Sequence, residues 1–163
     1  MKIARVSLWH VSLTSHTAYH MASGKSCDTV ETVLVALDTD TGQTGWGEVC
    51  PIPHYLPAYA RGVAPAISEM APVLIGANPI GPEAVMADLD HWLQGHVYAK
   101  SALDIALWDL TAQSADLPLY ALLGGRRQPD MPVYHSIICI APEEMARIAR
   151  DAQATGITQF QVK

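Results

Sequence analysis

The chain has 163 residues, with 10 Lys and Arg against 16 Asp and Glu and a formal charge of −6. That length suits one ordinary domain, and the acidic balance speaks against a protein built to track nucleic-acid phosphates, which calls for a basic stripe. Charged residues are only 16%, below the roughly 25% usual in soluble domains, so part of the surface reads as meant to be covered.

The first fifty residues read as strands. Ile3, Val6, Leu8, Val11 and Leu13 fall in a loosely alternating run, and residues 29–39 are dense in β-branched side chains. DTDTG at 38–42 is a turn cluster, after which TGWGEV resumes extended structure. Together these predict a three-stranded antiparallel meander. Residues 14–28 (TSHTAYHMASGKSCD) read as a long polar loop, a length usually tied to function inside a compact domain. The three prolines of residues 51–57 (PIPHYLP) suit neither a helix nor a central strand.

Helices follow. Residues 59–74 read as helix broken by Pro65 and Pro72, and residues 82–93 as a helix with Pro82 and Glu83 in its first turn. Residues 97–115 give the clearest helical pattern, apolar around most of the circumference as in a buried helix. On it, Lys100 and Asp104 are spaced to pair on the helix surface. Asp109, on a largely apolar side, is expected to bond backbone or Arg. LPLYALLGG at 117–125 closes this unit with a short turn of helix and a glycine stop.

The pattern then changes. Residues 131–137 read as a strand, 141–156 as a helix and 157–163 as a second strand, which is one β-α-β unit with a parallel pair. Two parallel strands and one helix cannot cover both faces of a sheet. The expected organisation is therefore an α+β domain over residues 1–125, then a linker and the opening of an α/β domain over 126–163. No apolar run approaches the ~20 residues of a membrane span, and Arg5 and His10 interrupt any signal-peptide core. Cys27, Cys50 and Cys139 have neither a disulfide-framework nor a zinc spacing. The expectation is a cytoplasmic protein without nucleic-acid or membrane partners.

Several segments carry a family resemblance. GWGE at 45–48 followed by CP, APVLIGANP at 71–79, YAKSALDIALWDL at 98–110 and LPLYALLGG resemble the N-terminal capping domain of the enolase superfamily, in its mandelate racemase/muconate-lactonising branch. Within the branch, YHMASGK at 19–25, HYLPAYARG at 54–62 and GHVYAKSALD at 95–104 look most like the cis-3-hydroxyproline dehydratase and hydroxyproline-betaine epimerase group. The resemblance implies a capping domain joined to a (β/α)8 barrel, here truncated after its first β-α-β. It further implies Mg2+ in the full-length enzyme, held by three carboxylates on later barrel strands. This chain is expected to bind no metal itself. The implied chemistry is removal of an α-proton from a small carboxylate, ending in racemisation, epimerisation or dehydration. A metal offsets the charge that develops, and a lysine base must be neutral to accept the proton. A homo-oligomer is implied for the full-length form. The alternative is that the 163 residues form an inactive fragment, at most a capping or binding domain without the C-terminal part of the barrel.

The resemblance also names candidate residues. Lys163 matches the second lysine of the Lys-x-Lys motif on the second barrel strand, the catalytic base; Gln161 stands where the first lysine is often found. From spacing alone, Lys163 reads as a solvated chain end. Residues 14–28 match the flap that closes over substrate, with Tyr19, His20 and Met21 facing it; the other reading is an ordinary polar loop. His54 and Tyr55 fall on a second specificity loop. There Tyr55 either offers a π face to an ammonium group or packs between prolines. Trp46 and Glu48 either border the pocket or hold the strand.

Overall fold

The computed structural model describes residues 1–53 and 56–163, with backbone alone at Ala22. His54 and Tyr55 therefore lie outside the described residues. The chain divides into two compact units, Met1–Leu13 with Glu31–Arg126, and Thr14–Val30 with Arg127–Lys163. Among the described residues, no helix is long and apolar enough to cross a membrane.

The first unit is built on the expected meander, with strand order β1-β2-β3. β1 spans Ile3–His20, β2 Ser26–Thr39 and β3 Thr44–Val49, so the outer parts of β1 and β2 run on into the second unit. β2 and β3 pair antiparallel, with Val33 opposite Val49, Val35 opposite Gly47 and Leu37 opposite Gly45. Alternation puts these residues on one face, and Val33, Val35 and Leu37 are buried.

Four helices complete this unit: α1 (Val63–Leu74), α2 (Pro82–Trp92), α3 (Val97–Ser114) and the single turn α4 (Leu119–Leu122). α1 is continuous where a break was expected. Pro65 falls in the first turn, where its missing N–H would have had no helical acceptor, and Pro72 lies near the end. α2 opens with Pro82 and Glu83 as anticipated. α3 packs on β3, α1 and α2. Its Ala99, Ala102, Leu103, Ala106, Leu107 and Leu110 join the core, as the all-round apolar pattern implied.

The GWGE motif explains how α3 seats so closely. A Cβ on Gly47 would overlap the Ala102 carbonyl oxygen, and one on Gly45 would overlap the Ala106 carbonyl oxygen and Leu110. Trp46, between the two glycines, lies on the opposite face and stacks on Trp9 with ring centroids 5.6 Å apart. Ala36, opposite Trp46, is buried. β3 is an edge strand, and α3 takes up its outward polar groups. The Trp46 N–H donates to Asp109 Oδ2 (2.8 Å), and Gln113 Nε2 donates to the Thr44 carbonyl (2.9 Å). Asp109 thus bonds backbone, as expected. Glu48 accepts a bond from Thr32 Oγ1 (2.7 Å), a strand-holding role.

Lys100 departs from expectation. It does not pair with Asp104 on the surface; its side chain is 4% exposed, and Nζ donates to Asp90 Oδ1 (2.7 Å) and the Leu93 carbonyl (2.5 Å). Leu93 caps the end of α2, where unpaired carbonyls and the negative end of the dipole attract a cation. That nonlocal partner outcompetes the local i,i+4 one.

The second unit contains the expected β-α-β: β4 (Tyr134–Ile137), α5 (Pro142–Ala154) and β5 (Gln159–Val162), with β4 and β5 parallel. α5 packs on β4. Residues 14–28, read as a loop, are instead mostly strand, the outer arms of β1 and β2 closed by a turn at 21–25. Most of residues 12–17 and 26–29 are exposed. The polarity that suggested a loop marks exposure on both faces of a ribbon. Alternating polarity needs one buried face, and residues 12–17 are exposed on both faces.

Candidate functional site

Four of the six sequence-predicted site residues, Tyr19, His20, Met21 and Lys163, fall in the second unit. The parallel ladder sets their frame. Ser136 pairs with Gln161 and Ile137 with Val162, and the Lys163 N–H continues the ladder by donating to the Ile137 carbonyl (3.1 Å). Side chains alternate along a strand, so Lys163 shares a face with Gln161 and Ser136. Ile137 and Val162 take the other face, and Ile137 is buried. Lys163 stands at the carboxyl end of β5, half-buried. In (β/α)8 barrels that end of the strands carries the chemistry.

The hairpin arm meets the same face. The Tyr19 and Ser136 hydroxyls share a hydrogen bond of 2.5 Å, in which either can donate. One residue on, the Cys139 N–H donates to the His20 carbonyl (3.1 Å). The tip is internally closed: the Met21 N–H donates to the Lys25 carbonyl (2.9 Å), and His20 Nδ1 and Ser26 Oγ lie 3.1 Å apart. Met21 is 6% exposed. Ser136 was not singled out from sequence. Only the register against Gln161 gives it meaning, and a parallel register is set by residues more than twenty positions apart.

The first unit holds a separate concavity of about 670 Å3, whose walls include Tyr59, Arg61, Glu69, His96 and Tyr98. None of its lining residues was a sequence candidate. Among the described residues, no group of three or more His, Cys, Asp or Glu is placed to hold a metal ion.

Residues 3–124 match the model of the mandelate racemase / muconate lactonizing enzyme N-terminal domain. The chain belongs to this family. Within it, the whole chain is 39% identical to the cis-3-hydroxy-L-proline dehydratase of Roseibium aggregatum, covering 45% of that protein. It is 32% identical to the L-Ala-D/L-Glu epimerase of Bacillus subtilis, again over the whole chain and 44% of that protein. A mandelate racemase/muconate lactonizing enzyme structure from Roseovarius nubinhibens, complexed with magnesium, superposes with a TM-score of 0.91 at 34% identity. That match covers 98% of this chain and 43% of the other. The chain thus spans somewhat under half the length of these family members. They include both an epimerase and a dehydratase, the general kinds of reaction that the motifs implied.

Proposed function

We propose that this chain is the N-terminal part of an enzyme that removes the α-proton of a small carboxylate, with Lys163 as the general base. Residues 1–125 form its capping domain and residues 126–163 begin its barrel. One observation carries the reading: Lys163 lies at the carboxyl end of a parallel strand, on the face that the Tyr19 hairpin engages through Ser136. An amine there can take a proton from a carbon held against the strand ends, and a covering hairpin keeps water from competing. Tyr19, His20 and Met21 would border the substrate.

The substrate is proposed to be a proline derivative, either a hydroxyproline or a proline betaine. The support is the identity to the cis-3-hydroxy-L-proline dehydratase together with the YHMASGK and GHVYAKSALD segments. Magnesium would supply charge stabilisation for the deprotonated carboxylate. Its ligands, on this reading, come from chain beyond Lys163.

The reading frame downstream of Lys163 tests this directly. Continuation with three strand-end Asp or Glu residues and a later lysine is the expected result. A stop codon there would instead leave an inactive fragment, at most a capping or binding domain.

A further inference from the structure

We propose that Ser26 is a positioning residue for His20: its hydroxyl donates to Nδ1 and leaves Nε2 as the ring's one free N–H donor, offered to a carboxylate or hydroxyl group of the substrate. This rests on the reading of residues 14–28 as a flap that borders the substrate, and adds which atom His20 presents there.

The bond is internal to the hairpin. His20 Nδ1 and Ser26 Oγ lie 3.1 Å apart, and the two residues flank the turn at 21–25. The Met21 N–H closes that turn on the Lys25 carbonyl at 2.9 Å. Ser23 and Gly24 take left-handed backbone, with φ of 63° and 69°, and so reverse the chain. The ends of β1 and β2 are thus clipped twice, once through backbone and once through side chains. Both members of the side-chain clip sit on the same hairpin, so the bond travels with the hairpin when the flap opens or closes.

The chemistry follows from what the two groups can donate and accept. A neutral imidazole has one N–H and one bare nitrogen, and the bond made by one nitrogen decides which of them carries the proton. A serine hydroxyl that donates to Nδ1 puts the proton on Nε2. If the ring takes up a second proton, Nδ1 becomes the donor, Ser26 the acceptor, and Nε2 keeps its proton. Nε2 is therefore a donor in both charge states, which suits a carboxylate or hydroxyl and not an ammonium group. His20 is exposed, so the ring is open to a ligand. Holding one nitrogen inside the hairpin also orders the ring before a substrate arrives, which lowers the entropic cost of binding.

Nitrogen NMR on this chain tests the bond without needing catalysis, so its outcome is separable from that of the flap reading. Above neutral pH, the His20 shifts should show Nε2 protonated and Nδ1 as a hydrogen-bonded acceptor. Ser26→Ala should move the Nδ1 resonance toward that of an unbonded ring nitrogen, and Ser26→Thr, which keeps a hydroxyl, should restore it. Amide shifts of α3 serve as the reference for an intact fold. A parent ring protonated mainly on Nδ1 would overturn the proposal, as would an Nδ1 resonance indifferent to Ser26→Ala. In the protein translated through the whole reading frame, Ser26→Ala should raise KM for cis-3-hydroxy-L-proline about three- to tenfold, the worth of one neutral hydrogen bond. It should raise KM more than it lowers kcat, and Ser26→Thr should reverse the loss. Equal KM in an active parent and its Ser26→Ala variant would overturn the positioning role. A parent inactive on this substrate would contradict the substrate reading instead, with the NMR result still deciding the bond.

Discussion

Gly47 of β3 and Ala102 of α3 approach so closely that a side chain at position 47 would overlap the Ala102 carbonyl oxygen. Gly45 stands in the same relation to Ala106. The spacing of the two glycines matches the spacing of the two alanines: two residues along the strand against four along the helix. Small residues on both elements let strand and helix backbones touch. Gly47→Ala should therefore force α3 off the sheet and destabilise the first unit by about 1–3 kcal/mol, the range for overpacking a close-packed core. Thermal or denaturant unfolding checks this.

Lys100 and Asp90 give an asymmetric prediction. The Lys100 side chain is buried, whereas that of Asp90 is 70% exposed. Asp90→Ala leaves a buried ammonium with only the Leu93 carbonyl as a named acceptor, and should cost about 1.5–3 kcal/mol. Lys100→Met removes the buried charge and leaves a carboxylate that water can solvate, so it should cost less. Urea unfolding of the two variants at neutral pH decides the order.

Two carboxylates should shape the pH dependence of stability in opposite directions. Bonds from Thr44 and Arg5 hold the Asp38 carboxyl below the usual carboxylate range. Its contribution is thus present above the unfolded-state value and lost as pH falls through the lowered folded value. Asp38→Asn should therefore flatten the acid limb of the stability curve. Burial, then the charge of Glu83, raises the Asp104 carboxyl. Its favourable contribution exists only in acid and fades as pH rises through the raised folded value, above which the ionised group is a liability. Asp104→Asn should stabilise the fold near pH 7 and give no gain near pH 3. Melting temperatures of both variants between pH 2.5 and 7 check the two signs.

The Trp9–Trp46 stack should be separable from simple area burial. A double-mutant cycle with Trp9→Leu and Trp46→Leu should give a coupling of about 0.5–1.5 kcal/mol, typical of an aromatic pair. Additive losses would show that each ring packs independently.

Much of this architecture is written locally. The β-branched run at 29–39 announces β2, the apolar circumference of residues 97–110 announces α3, and the switch to a β-α-β rhythm after residue 130 announces the barrel strands. What escaped was set by distant partners. Residues 14–17 look like loop because a ribbon exposed on both faces has no apolar side to betray its period. Lys100 looks like half of a surface pair because nothing near it in sequence reveals the carbonyl at the end of α2. Ser136 carries no signal until the register against Gln161 is known. The candidate base itself became visible only through the family motif, since a lysine on a short strand has no distinguishing spacing.

The most direct test of the central claim is deuterium incorporation at Cα of cis-3-hydroxy-L-proline and of proline betaine, followed by NMR in D2O with magnesium. The protein translated through the whole reading frame would be compared with its Lys163→Ala variant. Incorporation above the buffer control in the parent, falling at least about 100-fold in the variant, is the predicted result. Equal incorporation by the two proteins would contradict the assignment of Lys163 as the base.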